Sequence, residues 1–356
     1  MTNLIETNFP ESSLGSGMEY MKLGKSGLDV SQFCLGCMGF GDLDKWGRPW
    51  LIGPDESQAV VKRALELGIN WFDTANMYSL GASEEHLGRA LKNLGVNRDE
   101  LVVQTKVNQR MALGPNQAGS SRKVILSEID KSLQRLQMDY VDVYILHRWD
   151  WDTPIEETME AMNDVVKSGK ARYIGASAMF AWQFMKAYCC AEKNGWSNFI
   201  TMQNHLNLLY REDEREMLFA CDDVGVVCTP YSPTASGKCC HPWEEEHNRT
   251  INDFKVLEKY AKTEAIDKPV VDRIEEVANN RGIPMIQVSL AWLRSKTPVV
   301  APVIGVTEAD QWEGVLGTLD VKLTPQEINY LEELYQPHDV VGAMPKGAKY
   351  RATRNG

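Results

Sequence analysis

Asp73 follows Trp71 and Phe72 at the end of an apolar run, and Tyr78 stands five positions later. A carboxylate at the end of a buried strand needs a partner. Lys106 in LVVQTKV (101–107) is a second polar group in an apolar run, and His147 closes the run VYILH. Each has an ordinary explanation when taken alone. Strand-end aspartates cap helices, lysines reach out to water, and a lone histidine is commonly a satisfied core residue. Together they form an acid–base set. A phenol with its ordinary pKa of about 10 gives up a proton poorly at neutral pH, and an adjacent ammonium favours the phenolate. Pairing Asp73 with Lys106 removes the cost of burying either charge alone. His147 can donate to a carbonyl oxygen while Tyr78 protonates a developing alkoxide. No side chain delivers a hydride, so the set implies a nicotinamide cofactor.

Such residues need elements that bring strand ends together. Short apolar runs fall at 33–38, 69–73, 101–107, 141–146, 171–177, 199–203, 226–230 and 299–305. Helix-period segments lie between them at 56–68, 83–95, 121–137, 153–169 and 211–225. Gly68, Gly95, Gly169 and Gly225 sit just past helices, where a left-handed cap is wanted. Eight mostly continuous apolar runs suit a parallel sheet covered by helices. The expected fold is α/β, a closed (β/α)₈ TIM barrel, with an N-terminal β-hairpin around Gly24–Gly27 closing its lower end. A doubly wound sheet is the alternative, but the turn CLGCMGFG lacks the spacing of a dinucleotide-binding glycine loop. Long loops at 39–54, 108–120 and 231–267 all follow strands, on the face where barrels keep their chemistry. Residues 1–17 are expected to be a flexible extension, 18–342 a single barrel domain and 343–356 a tail.

The net charge of −11 without a basic cluster argues against nucleic acid or an anionic membrane as partner. No run of about 18 apolar residues and no signal-peptide pattern is present. The eight cysteines are scattered through apolar runs and read as buried free thiols, consistent with a cytoplasmic protein. No metal is expected. Cys34 and Cys37 have no second pair, and CCHPWEEEH, with Cys239, Cys240, His241 and His247, reads as a loop.

WFDTANMYS, VVQTKV, DYVDVYILHRWD, KARYIGASA, MQNHLNLLYREDER and TPYSPTASG resemble segments of the aldo-keto reductase superfamily, in its order, from about Met18 to residue 342. LGCMGFG and HRWD are similar to its bacterial aryl-alcohol-dehydrogenase-like or sugar-reductase-like branch. The resemblance implies NAD(P)H-dependent reduction of a carbonyl, with Tyr78 as general acid, Lys106 and Asp73 assisting, and His147 at the substrate. It further implies that Ser177 and Gln203 hold the nicotinamide carboxamide and that Tyr231 stacks on the ring. Ser232, Pro233, Ser236 and Lys238 would follow the pyrophosphate, with Met38 and Arg249 also at the cofactor. Gly305, Thr307 and Gln311 would meet the adenosine half, where a helix N-terminus favours phosphate.

Ala178, Thr234, Gly314 and Val315 depart from the family pattern, and Glu308 stands where a cation often grips a 2′-phosphate. NADP is the expected cofactor, with NAD left open by Glu308. Trp46 and Trp149, with Trp50 and Trp243, are expected to wall the substrate pocket. The substrate is a small carbonyl compound, aryl or sugar-derived. Oligomeric state stays open. The competing expectation is a regulatory subunit that senses cofactor redox state on the same barrel.

Overall fold

The computed structural model describes residues 12–15, 17–245, 253, 256 and 259–341. A hairpin of β1 (Tyr20–Lys22) and β2 (Asp29–Ser31) precedes eight parallel strands. These are β3 (Cys34–Gly36), β4 (Trp71–Asp73), β5 (Val102–Val107), β6 (Val141–Leu146), β7 (Ala171–Ser177), β8 (Phe199–Gln203), β9 (Val227–Cys228) and β10 (Val303–Ile304). Each pairs with its neighbour in sequence, and β10 pairs back to β3. The gap between β9 and β10 is spanned by a Cys228–Val299 bridge and by Val303 N–H donating to Pro230 O at 2.9 Å. The sheet is therefore a closed (β/α)₈ barrel.

The helices are α1 (Leu43–Trp46), α2 (Pro54–Glu66), α3 (Ala82–Asn93), α4 (Arg122–Leu136), α5 (Ile155–Lys167), α6 (Ala181–Asn194), α7 (Met217–Val224), α8 (Glu264–Arg281), α9 (Met285–Arg294), α10 (Gln311–Leu316) and α11 (Pro325–Glu332). Gly68, Gly95, Gly169 and Gly225 all have positive φ, as the capping role requires. Two apolar clusters follow from strand alternation. Phe72, Val103 and Tyr144 point outward to the helices. Trp71, Val102, Val143, Ile145 and Val303 fill the barrel, and Leu23 and Val30 of the hairpin plug its lower end. Above that plug the inward residues become polar.

Three expected strands shorten to half their length or less. The runs 33–38, 226–230 and 299–305 become three, two and two residues of strand. Pro230, Pro298 and Pro302 supply no N–H to a ladder, so pairing there breaks into single bridges. The helix expected over 211–225 becomes a 3₁₀ turn at Glu212–Glu214 followed by an α-helix that begins only at Met217, and Arg211 N–H donates to Tyr335 Oη at 3.0 Å. Helices α8, α9 and α11 lie outside the segments expected to be helical, and α8 starts inside the expected loop 231–267.

Residues 12–15, expected to precede the fold, lie against it. The Ser13 N–H and hydroxyl both donate to Glu100, at 2.9 and 2.5 Å, and Gly15 N–H donates to Leu65 O at 2.8 Å. All eight cysteines are free thiols, but Cys189 is exposed and Cys190 and Cys240 only half-buried, which corrects the expectation of uniform burial.

Candidate active site

Strand alternation aims Asp73, Gln104, Lys106 and Gln203 into the upper barrel, where all are buried. Lys106 Nζ donates to Asp73 Oδ2 at 2.7 Å, to Thr74 O at 2.8 Å and to Tyr78 Oη at 3.2 Å. Asp73 Oδ1 lies 2.6 Å from the same ammonium, so the carboxylate grips it through both oxygens. Asp73 Oδ1 also accepts from Gln104 Nε2 at 2.7 Å and from Gln203 Nε2 at 2.9 Å. That is the pairing a strand-end carboxylate demands.

Tyr78 begins a tight turn, Tyr78–Gly81, in which Ser79 and Leu80 take positive φ. The Ser79 hydroxyl accepts from Asp42 N–H at 3.0 Å, which ties the first long loop to this turn. Trp46 of that loop lies 6.2 Å from the Tyr78 ring, and the His147 ring meets the phenol edge-on at 5.8 Å. The Arg48 guanidinium covers Trp46 at 4.3 Å and pairs with Asp253 at 2.9 Å, spanning the mouth from the first long loop to the third.

The electrostatics depart from the expected pattern at one point. Burial pushes the Tyr78 phenol above its ordinary range, and the Lys106 ammonium offsets this only in part. The phenol is thus not acidified in this state, a correction to the expectation drawn from the ammonium alone. Burial also works against the Lys106 charge, but Asp73 and Tyr78 outweigh it and raise the pKa. Burial, with Lys106 and Arg148 adding to it, holds His147 well below its usual value, so its ring is neutral. Its Nδ1 is buried without a partner.

The remaining site residues gather around the same mouth. Ser177 and Gln203 end adjacent strands, and Ala178 N–H donates to Gln203 O at 3.1 Å. Tyr231 lies just past β9 with one ring face parallel to His205, 5.0 Å away, and Lys259 Nζ lies 5.4 Å from its ring centre. Ser232, Ala235, Ser236 and Gly237 have positive φ and wind the segment around Pro233 into successive tight turns. The Ala235 and Gly237 amides close these turns by donating to Ser232 O and Thr234 O, both at 3.0 Å. Met38 lies on the turn after β3, and Thr307 reaches the same place: a Cβ on Gly39 would stand 3.3 Å from its methyl. Gly305 follows β10 directly. Lys238 lies over Trp243 at 4.4 Å.

Gln311 Oε1 accepts the Thr307 N–H at 3.0 Å and the Glu308 N–H at 3.4 Å, folding its side chain back over the helix start. Trp149 packs on Trp182 at 5.6 Å, which in turn packs on Trp151 at 6.2 Å. Arg249 and His247 lie outside the described residues, and among those described no group of three or more His, Cys, Asp or Glu is placed to hold a metal. A cavity of about 180 Å³ opens beside Ala178, Tyr210, Asp213, Tyr231 and Val341, and none of the four convergent side chains lines it. Burial pushes the Asp213 carboxyl up to about 7.

Gln104 was not among the expected site residues. Its position two before Lys106 on one strand was the available signal, because period two puts both on the inner face. Thr74 acts through its carbonyl, which no residue type announces.

The chain belongs to the Aldo/keto reductase family, which it matches over residues 32–336. It is an oxidoreductase of carbonyl groups and uses a nicotinamide cofactor. It is 43% identical over 340 residues to a versiconal hemiacetal acetate reductase of Aspergillus parasiticus, covering 90% of this chain and 98% of that one. It is 38% identical over 359 residues to an aldo-keto reductase of Alternaria alternata, covering 93% and 96%. A putative aryl-alcohol dehydrogenase of Schizosaccharomyces pombe is 36% identical over 345 residues, covering 91% and 97%. No helix among the described residues is long and apolar enough to cross a membrane.

Proposed function

We propose that this protein reversibly reduces an aldehyde or ketone to the alcohol, with Tyr78 as proton donor and 18–342 as one catalytic domain. The observation that carries the proposal is the Lys106 ammonium bonded at once to Asp73 and to the Tyr78 hydroxyl. A phenol held protonated by burial donates to an alkoxide as it forms. The adjacent ammonium then stabilises the phenolate left behind, which is when its charge matters most. Asp73 keeps the ammonium paired throughout. Neutral His147 orients the carbonyl oxygen beside the phenol.

The residues present fit a nicotinamide dinucleotide. Tyr231 offers a flat ring, Ser177 and Gln203 offer polar atoms at adjacent strand ends, and the tightly turned segment Ser232–Gly237 offers its hydroxyls, while its Ala235 and Gly237 amides donate to Ser232 O and Thr234 O. When bound, that cofactor supplies the hydride. NADP is the proposed form by family habit. Against it stand exposed Glu308 and the occupied amide at Thr307, so NADH belongs in every assay beside NADPH. A relative named for aryl alcohols favours an aryl-linked substrate, with Trp46 beside the phenol as its wall. Eight unpaired thiols suit the reducing cytoplasm.

The test follows nicotinamide absorbance with each dinucleotide over aryl aldehydes, ketones and sugars. Tyr78→Phe should lower kcat by about 10²–10⁴-fold, the usual worth of a general acid, with dinucleotide affinity retained. Undiminished turnover by that variant removes the assignment. Oxidation of one bound equivalent and no more, by the wild type, marks a sensing subunit instead.

A further inference from the structure

Past the ends of β8 and β9, His205 and Asn207 pack behind Tyr231 and Ser232, and the chemistry above gives neither of them a role. Tyr231 N–H donates to Asn204 O at 2.8 Å, and His205 bridges Tyr231 in parallel, so the two segments run side by side. The buried His205 ring lies between two phenols. It is 4.1 Å from Tyr210 at 17° and 5.0 Å from Tyr231 at 9°. Burial, with the charges of Lys259, Arg148 and His338 adding to it, keeps this imidazole well below its ordinary pKa and so neutral. Its Nε2 stands 3.3 Å from Tyr260 Oη and 3.4 Å from Asn207 Nδ2.

Asn207 joins that stack to the next turn. Its Nδ2 donates to Ser232 O at 2.9 Å and to Tyr260 Oη at 3.2 Å, and its Oδ1 accepts Leu209 N–H at 2.9 Å. Ser232 has φ 51°, a region that residues with a side chain seldom adopt unless the surroundings hold them there. One buried amide therefore grips the peptide that follows Tyr231.

We propose that His205 and Asn207 are positioning residues for the dinucleotide: His205 sets the plane of the Tyr231 ring by stacking, and Asn207 sets the start of the pyrophosphate segment by holding Ser232. The proposal rests on the assignment of Tyr231 to the nicotinamide ring and of Ser232–Gly237 to the pyrophosphate. Neither residue moves a proton. What His205 contributes to the Tyr231 ring is a flat, uncharged face, so another aromatic ring should replace it there.

The experiment titrates the full-length wild type, His205→Ala, His205→Phe and Asn207→Ala with NADH, NADPH, ADP-ribose and 2′-phospho-ADP-ribose, reading tryptophan fluorescence. The last two ligands keep the pyrophosphate and lack nicotinamide. His205→Ala should weaken the dinucleotide by about tenfold, the scale of one lost ring contact, and leave the ADP-ribose ligand within about twofold. His205→Phe should return dinucleotide affinity to within about threefold of wild type. Asn207→Ala should weaken both kinds of ligand by similar factors.

Wild-type affinity in His205→Ala overturns the proposal, as does equal loss of both ligand kinds. If His205→Ala does not fold, His205→Phe decides: retained affinity supports the stacking role, and lost affinity in a folded variant sinks it. A wild type that binds no dinucleotide removes the functional assignment and this proposal together, whereas binding that all variants share removes only the proposal.

Discussion

Lys106 shows how a single residue joins stability to chemistry. A fully buried ammonium would be driven towards neutrality, but here it is ringed by Asp73, Thr74 O and Tyr78. Removing it strands the Asp73 carboxylate with only the Gln104 and Gln203 amides. Lys106→Met is expected to cost about 3–5 kcal/mol in urea unfolding, the usual penalty for breaking a buried pair. The double variant Asp73→Asn/Lys106→Met should recover much of that loss, because no buried charge is left unpaired. A double variant as unstable as the sum of the two single changes contradicts this account. Asp73, Tyr78, Lys106 and His147 were legible in the sequence because apolar runs and their ends rarely carry polar groups without a reason. The net direction of the Tyr78 shift was not legible, since the depth of burial is set by Trp46 and the loop folded over it.

Helix α3 follows the Tyr78 turn directly and packs against α4 by way of Gly88. A Cβ there would stand 2.3 Å from Leu136 O and 2.7 Å from its Cα, both backbone atoms that cannot swing aside. The helices approach this closely because glycine has no side chain. In an open helix, alanine would gain about 1 kcal/mol over glycine. Here Gly88→Ala should instead lose about 1–3 kcal/mol through overpacking, with a lower thermal midpoint. A higher midpoint would mean that the helices separate at no cost. At this scale the sequence was readable where periodicity was strong, as in β5 to β8 and α2 to α5. It was weak for β9 and β10, where prolines interrupt pairing, and for α8, α9 and α11, which lie beyond the segments expected to be helical.

The described C-terminal segment ties distant parts of the barrel together. His338 Nε2 bonds Asp267 of α8 at 2.8 Å, and its N–H donates to Glu212, which also accepts from Tyr335 at 2.6 Å. Val341 N–H donates to Tyr210 Oη at 3.3 Å. Burial works against the His338 charge, but the bond and attraction to Asp267, with the Gln336 carbonyl and Glu212, outweigh it and raise the pKa. The native state therefore holds this proton more tightly than the unfolded chain, whose histidine has a pKa of about 6.5. The stabilisation is complete below that value and is lost as pH rises through the higher native one. The thermal midpoint of wild type should exceed that of His338→Gln most at about pH 6, with the margin shrinking towards about pH 9. A margin that widens with pH would contradict the pairing.

From the sequence alone came the barrel, its order of strands and the four polar strand ends, because alternation and burial constrain each segment locally. The tertiary structure decided what no local pattern carries. It placed Gln104 and Thr74 O on the charged pair, turned Gln311 back on its own helix start, and packed Trp149 on Trp182. It also stacked His205 between Tyr210 and Tyr231. Each of those outcomes depends on which residues meet across the barrel mouth, and that follows from closing the sheet, not from any one segment's composition.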